Sequence, residues 1–503
     1  MKAGNGTRSD TRGDLAVLVG LAGATLAVHL LTGGRYGFHR DELATLDDAR
    51  HLAWGYVAYP PVTPFFARLS LDLFGTSLTG FRFFAALADA VGVVIAGLIA
   101  RELGGRRAAQ LLAALATTPF CLGAGTLMQY VSFDYLAWIL TAYFVTKVLN
   151  SGNPRWWLGV GISIGFGMLT KYSMLVCVAG VVAAVLLTGL RRDLKSKWLW
   201  LGVICSLLIF LPNLVWQIRH DFVSLDFLRH IHERDIRIGR TKDFLPDQLK
   251  LTLFALPLAL IGLHFYFFAP NGRRFRALGW IYIVPFILFF IMKGRGYYLE
   301  PAYPVLFAGG SVWVEEIVLR IGQTGRGLAW TALGLAMVAN ILIIAAFFLP
   351  LAPINSGWWF SAVKINGDLA EEIGWPELVE EVARVRDSLP PNERSRMAIL
   401  AGNYGEAGAV NLYGPHHGLP SAICGTNSFW ARGYGDPPPE TVIVLGLSRE
   451  YLERHFESCG VAGRITNRQN VANEESTEHP DIFVCRGLRG SWPEFWKGFR
   501  RYG

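Results

Sequence analysis

Charge is what this chain has least of. Asp, Glu, Lys and Arg make up 17% of its 503 residues, against 52% hydrophobic, and a soluble protein of this length would carry more. The apolar residues are bunched into runs rather than spread at amphipathic spacing, the pattern of membrane spans. Cysteine is scarce too. Of six, Cys121, Cys177 and Cys205 lie in apolar runs and Cys424, Cys459 and Cys485 in a polar tail. No CxxC or His/Cys spacing appears, which argues against a structural zinc site. Internal repeats and low-complexity linkers are absent. So is a cleavable signal pattern: the first apolar run, Asp14–Gly33, follows a short start with Lys2, Arg8 and Arg12 and reads as a retained helix.

The charge that remains is placed. A formal net charge of +8 would suit nucleic acid, but Lys and Arg cluster in short loops between apolar runs. That placement fits topology control and anionic lipid headgroups, so membrane lipids are expected partners and nucleic acid is not. Sixteen Trp and 17 Tyr, many near the ends of runs, suit interfacial belts.

Stretches of about 17–25 apolar residues give eleven candidate spans: 14–33, 79–101, 108–127, 132–150, 156–170, 173–190, 198–218, 247–269, 277–292, 301–320 and 327–350, the fifth and sixth short enough to be partly re-entrant. If each crosses, the basic loops Arg101–Arg107, Arg191–Lys197, Asn271–Arg276 and Arg320–Arg326 fall on one side, which the positive-inside rule makes cytoplasmic. The Asn5-Gly-Thr sequon then lies inside and carries no weight. Three polar segments face outward: Gly34–Leu78, Arg219–Pro246 and Leu351–Gly503. The expectation is a polytopic α-helical membrane domain over 1–350, with external loop 34–78, and an exported α/β domain over 351–503. The chain would sit in the inner (plasma) membrane as a multi-pass protein with its C-terminal domain outside the cytoplasm.

In the tail, a helix-like stretch (Ala370–Asp387, before Pro390-Pro391) alternates with strand-like runs at Met397–Ala401, Thr441–Leu447 and Asp481–Cys485. On an oxidising face Cys459 and Cys485 could pair, although sequence does not fix the connectivity among them and Cys424. The run Gly159-x-Gly161…Gly165-x-Gly167 imitates a nucleotide loop. It sits inside a span with no preceding strand, so close helix packing is expected.

Candidate chemistry gathers at the outward ends of the runs. Arg35-Tyr-Gly-Phe-His39-Arg40-Asp41-Glu42 follows the first span, then a segment in which Leu43, Leu46, Ala53 and Trp54 suit a helix lying on the bilayer. Asp47, Asp48 and Arg50 would be its wet face, and Tyr59-Pro60-Pro61 would end it. Asp134, in Tyr130-Val-Ser-Phe-Asp-Tyr135, is an ionisable group at a depth where charge is expensive. Lys171, in Leu169-Thr-Lys-Tyr, and Arg295, in Lys293-Gly-Arg-Gly-Tyr297-Tyr298-Leu-Glu300-Pro301, are cations on the outer face, the second beside a carboxylate. Snorkelling at helix ends is the bland explanation, but the basic loops belong inside. Carboxylates and cations at one depth on one face suit an anionic lipid headgroup. A carboxylate can take the proton of an attacking hydroxyl or amine, and a cation can stabilise a departing phosphate.

These motifs, namely His39-Arg-Asp41-Glu42-Leu, Tyr59-Pro-Pro61, Phe-Asp134, Leu-Thr-Lys171-Tyr and Lys-Gly-Arg295-Gly-Tyr-Tyr298, resemble the bacterial branch of the dolichyl-phosphate-mannose protein mannosyltransferase family, which includes the aminoarabinose transferases of lipid A. The resemblance covers about the first 350 residues. In the tail, Asn403-Tyr-Gly-Glu406-Ala-Gly…Tyr413-Gly-Pro415 is similar to a segment of bacterial members. The resemblance implies a GT-C fold and transfer of a sugar from a polyprenyl-phosphate donor to a glycolipid, glycan or protein acceptor. It makes Asp41 the base, Glu42 its motif neighbour and Asp134 a second acid orienting the acceptor or a metal. Lys171 and Arg295, with Tyr297 and Tyr298, would hold the donor phosphate. No cofactor is implied with certainty. Metal dependence varies among relatives and no clear ligand set is visible, which leaves a divalent metal open. One departure is Ala44-Thr45 after Asp41-Glu42, where relatives often carry aromatic residues. A lipid-linked sugar flippase or transporter is the alternative function; it would favour mid-membrane charges and paired helical halves.

Overall fold

The computed structural model describes residues 11–503; Lys2, Asn5 and Arg8 lie outside the described residues. All eleven expected runs are helical. Six helices are long and apolar enough to cross a membrane: Arg12–Thr32, Phe83–Glu102, Lys197–Arg219, Phe244–Phe267, Arg273–Ile291 and Gln323–Phe348. A seventh is added if Met174–Leu187 and Gly189–Lys195, bent by 97°, count as one. Length and composition thus give seven crossings at most among the described residues, not eleven. The helices under the remaining runs are shorter or more polar. Trp157–Met168 has 12 residues, roughly 18 Å at 1.5 Å per residue, which falls short of a ~30 Å hydrocarbon core.

Lipid is the solvent these helices are built for. Leu335 and Leu342, on Gln323–Phe348, are 65% and 63% exposed. Leaving such side chains in water forgoes about 25 cal/mol per Å² of apolar surface. The chain is a multi-pass membrane protein. Within the bundle, Val93, Leu112, Trp138, Ile281 and Phe307 belong to one core. The glycine run does the expected packing: Gly161 lies against the backbone of Gly202 on the neighbouring helix, and Gly165 against Ile209. A side chain at Gly161 would drive the two helices apart.

The tail holds a five-stranded mixed sheet in the order β2-β1-β3-β5-β4. Its strands are β1 Met397–Ala401, β2 Ala422–Cys424, β3 Thr441–Leu445, β4 Phe456–Arg464 and β5 Asp481–Leu488. β1 runs parallel to β2 and β3, while β5 is antiparallel to both β3 and β4. Cys459 and Cys485 face each other across β4 and β5 and are joined by a disulfide; Cys424 is free and buried.

The helix Arg40–Arg50 departs from expectation. Leu43 and Leu46 are buried in one core with Leu378, Ile399, Val410 and Ile443 of the tail, and Asp47 and Asp48 are buried rather than wet. Gly408 lies on the backbone of Leu43. The tail helix Tyr404–Tyr413, small and apolar along this face, takes the stripe that the bilayer was expected to cover. Loop and tail therefore share a core, and this docking assembles the site.

Candidate active site

Asp41 is set by local geometry at the start of Arg40–Arg50. His39 is the N-cap, its Nδ1 accepting from the Asp41 backbone N–H (3.2 Å), while Glu42 Oε2 accepts from the His39 N–H (3.0 Å). This reciprocal box fixes the first turn and aims Asp41 at a large cavity between bundle and tail, about 1350 Å³ in volume. Gln129 Nε2 donates to Asp41 Oδ2 at 3.0 Å, and the Tyr404 hydroxyl donates to Oδ1 at 2.7 Å. Arg295, Tyr297 and Tyr298 line the same cavity.

Arg295 is held by Asp235, which accepts at 2.6 and 2.9 Å, and its Nη1 donates to the Tyr297 hydroxyl at 3.2 Å. Lys171 is not part of the cavity lining. Its Nζ sits over three rings, Tyr298 at 4.4 Å, Tyr130 at 4.9 Å and Tyr297 at 5.6 Å, and those rings do line it. The charge lies behind an aromatic wall, held by cation–π attraction.

Glu42 and Asp134 are not brought to the cavity. Glu42 is completely buried, and its carboxylate accepts from Arg82 Nε (2.9 Å) and Nη2 (2.6 Å), the Met128 N–H (2.8 Å) and the His39 N–H. Four donors saturate its oxygens, leaving none for a substrate proton. In this geometry Glu42 ties His39, Arg82 and Met128 together. Arg82 also donates to Glu372 of the tail at 3.1 Å, where burial pushes the carboxyl up to about 7 against the pull of Arg82. Asp134, also buried, accepts from Trp138 Nε1 at 3.1 Å and from the Ser173 hydroxyl at 3.5 Å. It can order the Lys171-Tyr-Ser173 turn without touching a substrate in the cavity. Among the described residues, no group of three or more His, Cys, Asp or Glu side chains is placed to hold a metal ion.

A second seam joins loop to tail. Arg432 pairs with Asp47 and, at 2.6 Å, with Asp48; Tyr59 donates to Asp48 Oδ2 at 2.7 Å, and Asn411 Nδ2 to Asp47 Oδ1 at 2.6 Å. Gln129, Tyr404, Asp235 and the cavity-lining Asp48 are the functional candidates that motif reading missed, whereas Glu300, also in the lining, belongs to the Lys293–Pro301 cluster already named. Gln129 stands directly before the Tyr130–Tyr135 motif, and Tyr404 lies inside the tail segment singled out above, so adjacency was the available signal for both. Asp235, in a mixed-charge run, had none.

Residues 58–216 match the family model of dolichyl-phosphate-mannose-protein mannosyltransferase. Undecaprenyl phosphate-alpha-4-amino-4-deoxy-L-arabinose arabinosyl transferase 1 of Pseudomonas fluorescens is 28% identical over 298 residues, 54% of this chain and 52% of that protein. Lipid A galacturonosyltransferase RgtD of Rhizobium johnstonii is 26% identical over 220 residues, 40% of this chain and 45% of that protein. The chain spans about half the length of these curated relatives. In fold it resembles ArnT from Cupriavidus metallidurans, solved bound to undecaprenyl phosphate: TM-score 0.58, 15% identity, 93% of this chain and 98% of that one.

Proposed function

We propose, on the premise that residues 58–216 carry the mannosyltransferase family match, that this protein is a membrane glycosyltransferase. It moves a sugar from a polyprenyl-phosphate carrier to an acceptor on the outer face of the inner membrane. One observation carries the reading: a single cavity presents a carboxylate held on both oxygens, Asp41, together with the cationic and tyrosine wall of Arg295, Tyr297 and Tyr298. Pro119, Phe120, Ile343, Phe347 and Phe348 line it as well and suit a prenyl chain.

The acceptor hydroxyl or amine attacks the anomeric carbon and gives its proton to Asp41. The bond from that carbon to the phosphate oxygen breaks, and its electron pair leaves with the polyprenyl phosphate. Arg295 and Lys171 stabilise the charge that develops there, so no general acid is required. Asp134 acts at one remove, through the turn that carries Lys171. Both the arabinosyl and the galacturonosyl relatives are named for lipid-linked or lipid A chemistry, which makes an envelope glycolipid the first acceptor to test. All eleven helical runs would cross or enter the membrane, with 351–503 as the exported domain, in keeping with the four basic loops on the opposite side.

The test is reconstitution in nanodiscs with labelled undecaprenyl-phosphate sugars and lipid A. Label on the acceptor with matching release of undecaprenyl phosphate is expected. Passage of the labelled lipid across proteoliposome membranes with no transfer would instead support a flippase.

A further inference from the structure

The Asp41 carboxylate is held by residues from distant parts of the chain. Gln129, at the start of the helix Tyr130–Ser151, holds Oδ2, and Tyr404 holds Oδ1 from the tail, 363 residues away in sequence. Nothing about Tyr404 is loose. It opens the helix Tyr404–Tyr413, whose cap is a second reciprocal box: Asn403 Oδ1 accepts from the Glu406 N–H at 2.9 Å, and Glu406 Oε2 from the Asn403 N–H at 3.2 Å. Arg40 lies over the Tyr404 ring, 5.5 Å from its centroid, and is itself held by Glu474 (Nη2 to Oε1, 2.9 Å). Gly405 fits against Arg40 and Trp375, where a side chain would push the helix away.

We propose that Tyr404 is a positioning residue for sugar transfer, a phenol supplied by the C-terminal region to fix the orientation of the Asp41 carboxylate. The inference rests on the reading of Asp41 as the base. Burial pushes the phenol well above its ordinary range, and the Asp41 charge pushes it further, so the O–H stays in place to donate. With one donor on each oxygen the carboxylate plane cannot swing, and each oxygen keeps a lone pair for the acceptor proton. The C-terminal region is then part of the catalytic unit, and any movement of that region disarms the base.

The experiment measures single-turnover transfer, donor KM and Tm on the full chain in nanodiscs for Tyr404→Phe, Asp41→Asn and the double variant. A reactive group freed to wander by about 1 Å can cost up to 10²-fold in rate, so Tyr404→Phe is expected to lose about ten- to hundredfold in kcat. Donor KM and Tm are expected to stay at wild-type values, and the double variant to be no slower than Asp41→Asn alone. Incorporating 4-aminophenylalanine at position 404, which returns an N–H donor, is expected to recover rate. Tyr404→Phe at the wild-type rate overturns the proposal. So does a loss accompanied by lower Tm or weaker donor binding, or one that persists in the Asp41→Asn background, since each makes Tyr404 a structural contact. Asp41→Asn at the wild-type rate would instead remove the base assignment itself, which keeps the two failures apart.

Discussion

Arg295 gives two of its N–H groups to one carboxylate, Nε to Asp235 Oδ2 at 2.6 Å and Nη2 to Oδ1 at 2.9 Å. A guanidinium forked in this way is rigid; its Nη1 donates to the Tyr297 hydroxyl at 3.2 Å, and both residues line the cavity. Asp235 lies on the helix Val223–Arg237 of the polar segment 219–246, so that segment contributes to the proposed phosphate site by holding its cation still.

Arg295→Ala is therefore expected to weaken donor use. Hydrogen bonds to charged groups are commonly worth about 1.5–3 kcal/mol, which corresponds to a ten- to hundredfold loss in kcat/KM for the polyprenyl-phosphate sugar. Arg295→Lys should recover little, because an ammonium cannot reproduce the fork. Asp235→Asn, which keeps the shape, should lose less than Arg295→Ala. Lys171→Met should raise donor KM while leaving acceptor KM alone. Donor titrations at saturating acceptor, with an acceptor titration for Lys171→Met, measure these effects, and unchanged donor KM in both Arg295→Ala and Lys171→Met would take the phosphate away from this wall.

Glu42 behaves differently from its neighbour Asp41. Glu42→Gln and Arg82→Met each break a buried ion pair, typically a loss of about 3–5 kcal/mol when one partner is removed. Arg82→Met should be the worse, since it strands both Glu42 and Glu372. Both variants should show a lower Tm in detergent, with near wild-type single-turnover rates in whatever fraction remains folded. A Glu42→Gln protein of normal Tm that fails in turnover would return Glu42 to the chemistry.

Apolar run length and motif order made much of this legible. The helical runs, three of the five strands and the gathering of Asp41, Arg295, Tyr297 and Tyr298 on one cavity are all local signals or sums of them. What stayed hidden was pairing at a distance. Leu43 and Leu46 read as lipid-facing because amphipathic spacing says only that a face is apolar, not what covers it. The partner that does, around Val410, lies more than 350 residues away. Asp41-Glu42 reads as a pair of equivalent acids, yet adjacent helix positions point about 100° apart, one into the cavity and one onto Arg82. Run 156–170 is apolar throughout, yet its helix, Trp157–Met168, is too short to span on length, so apolarity alone does not fix how many of the runs cross.

The tail should loosen as pH rises. Burial, with the neighbouring Glu475 adding to it, pushes the Glu406 carboxyl from 4.5 up to about 8. The folded state then holds a proton that the unfolded state releases above pH 4.5. The stability this group contributes is fully present below 4.5 and is lost as pH rises through about 8. Glu475 and Glu372, pushed up to about 7 by burial, act in the same direction. Tm should fall between about pH 4.5 and 8, and Glu406→Gln, which imitates the protonated form, should flatten part of that fall. A Tm rising over this range in the wild-type protein would contradict the sign.

The most direct test of the central claim is single-turnover transfer by Asp41→Asn, from labelled polyprenyl-phosphate sugar in nanodiscs, with donor binding measured on the same sample. Asparagine keeps the shape and can still accept from Tyr404, but it cannot take the acceptor proton. General-base assistance contributes about 10²–10⁴-fold, so transfer should slow by that order while donor binding and Tm stay at wild-type values. An Asp41→Asn protein that binds donor and transfers at the wild-type rate would contradict Asp41 as the base.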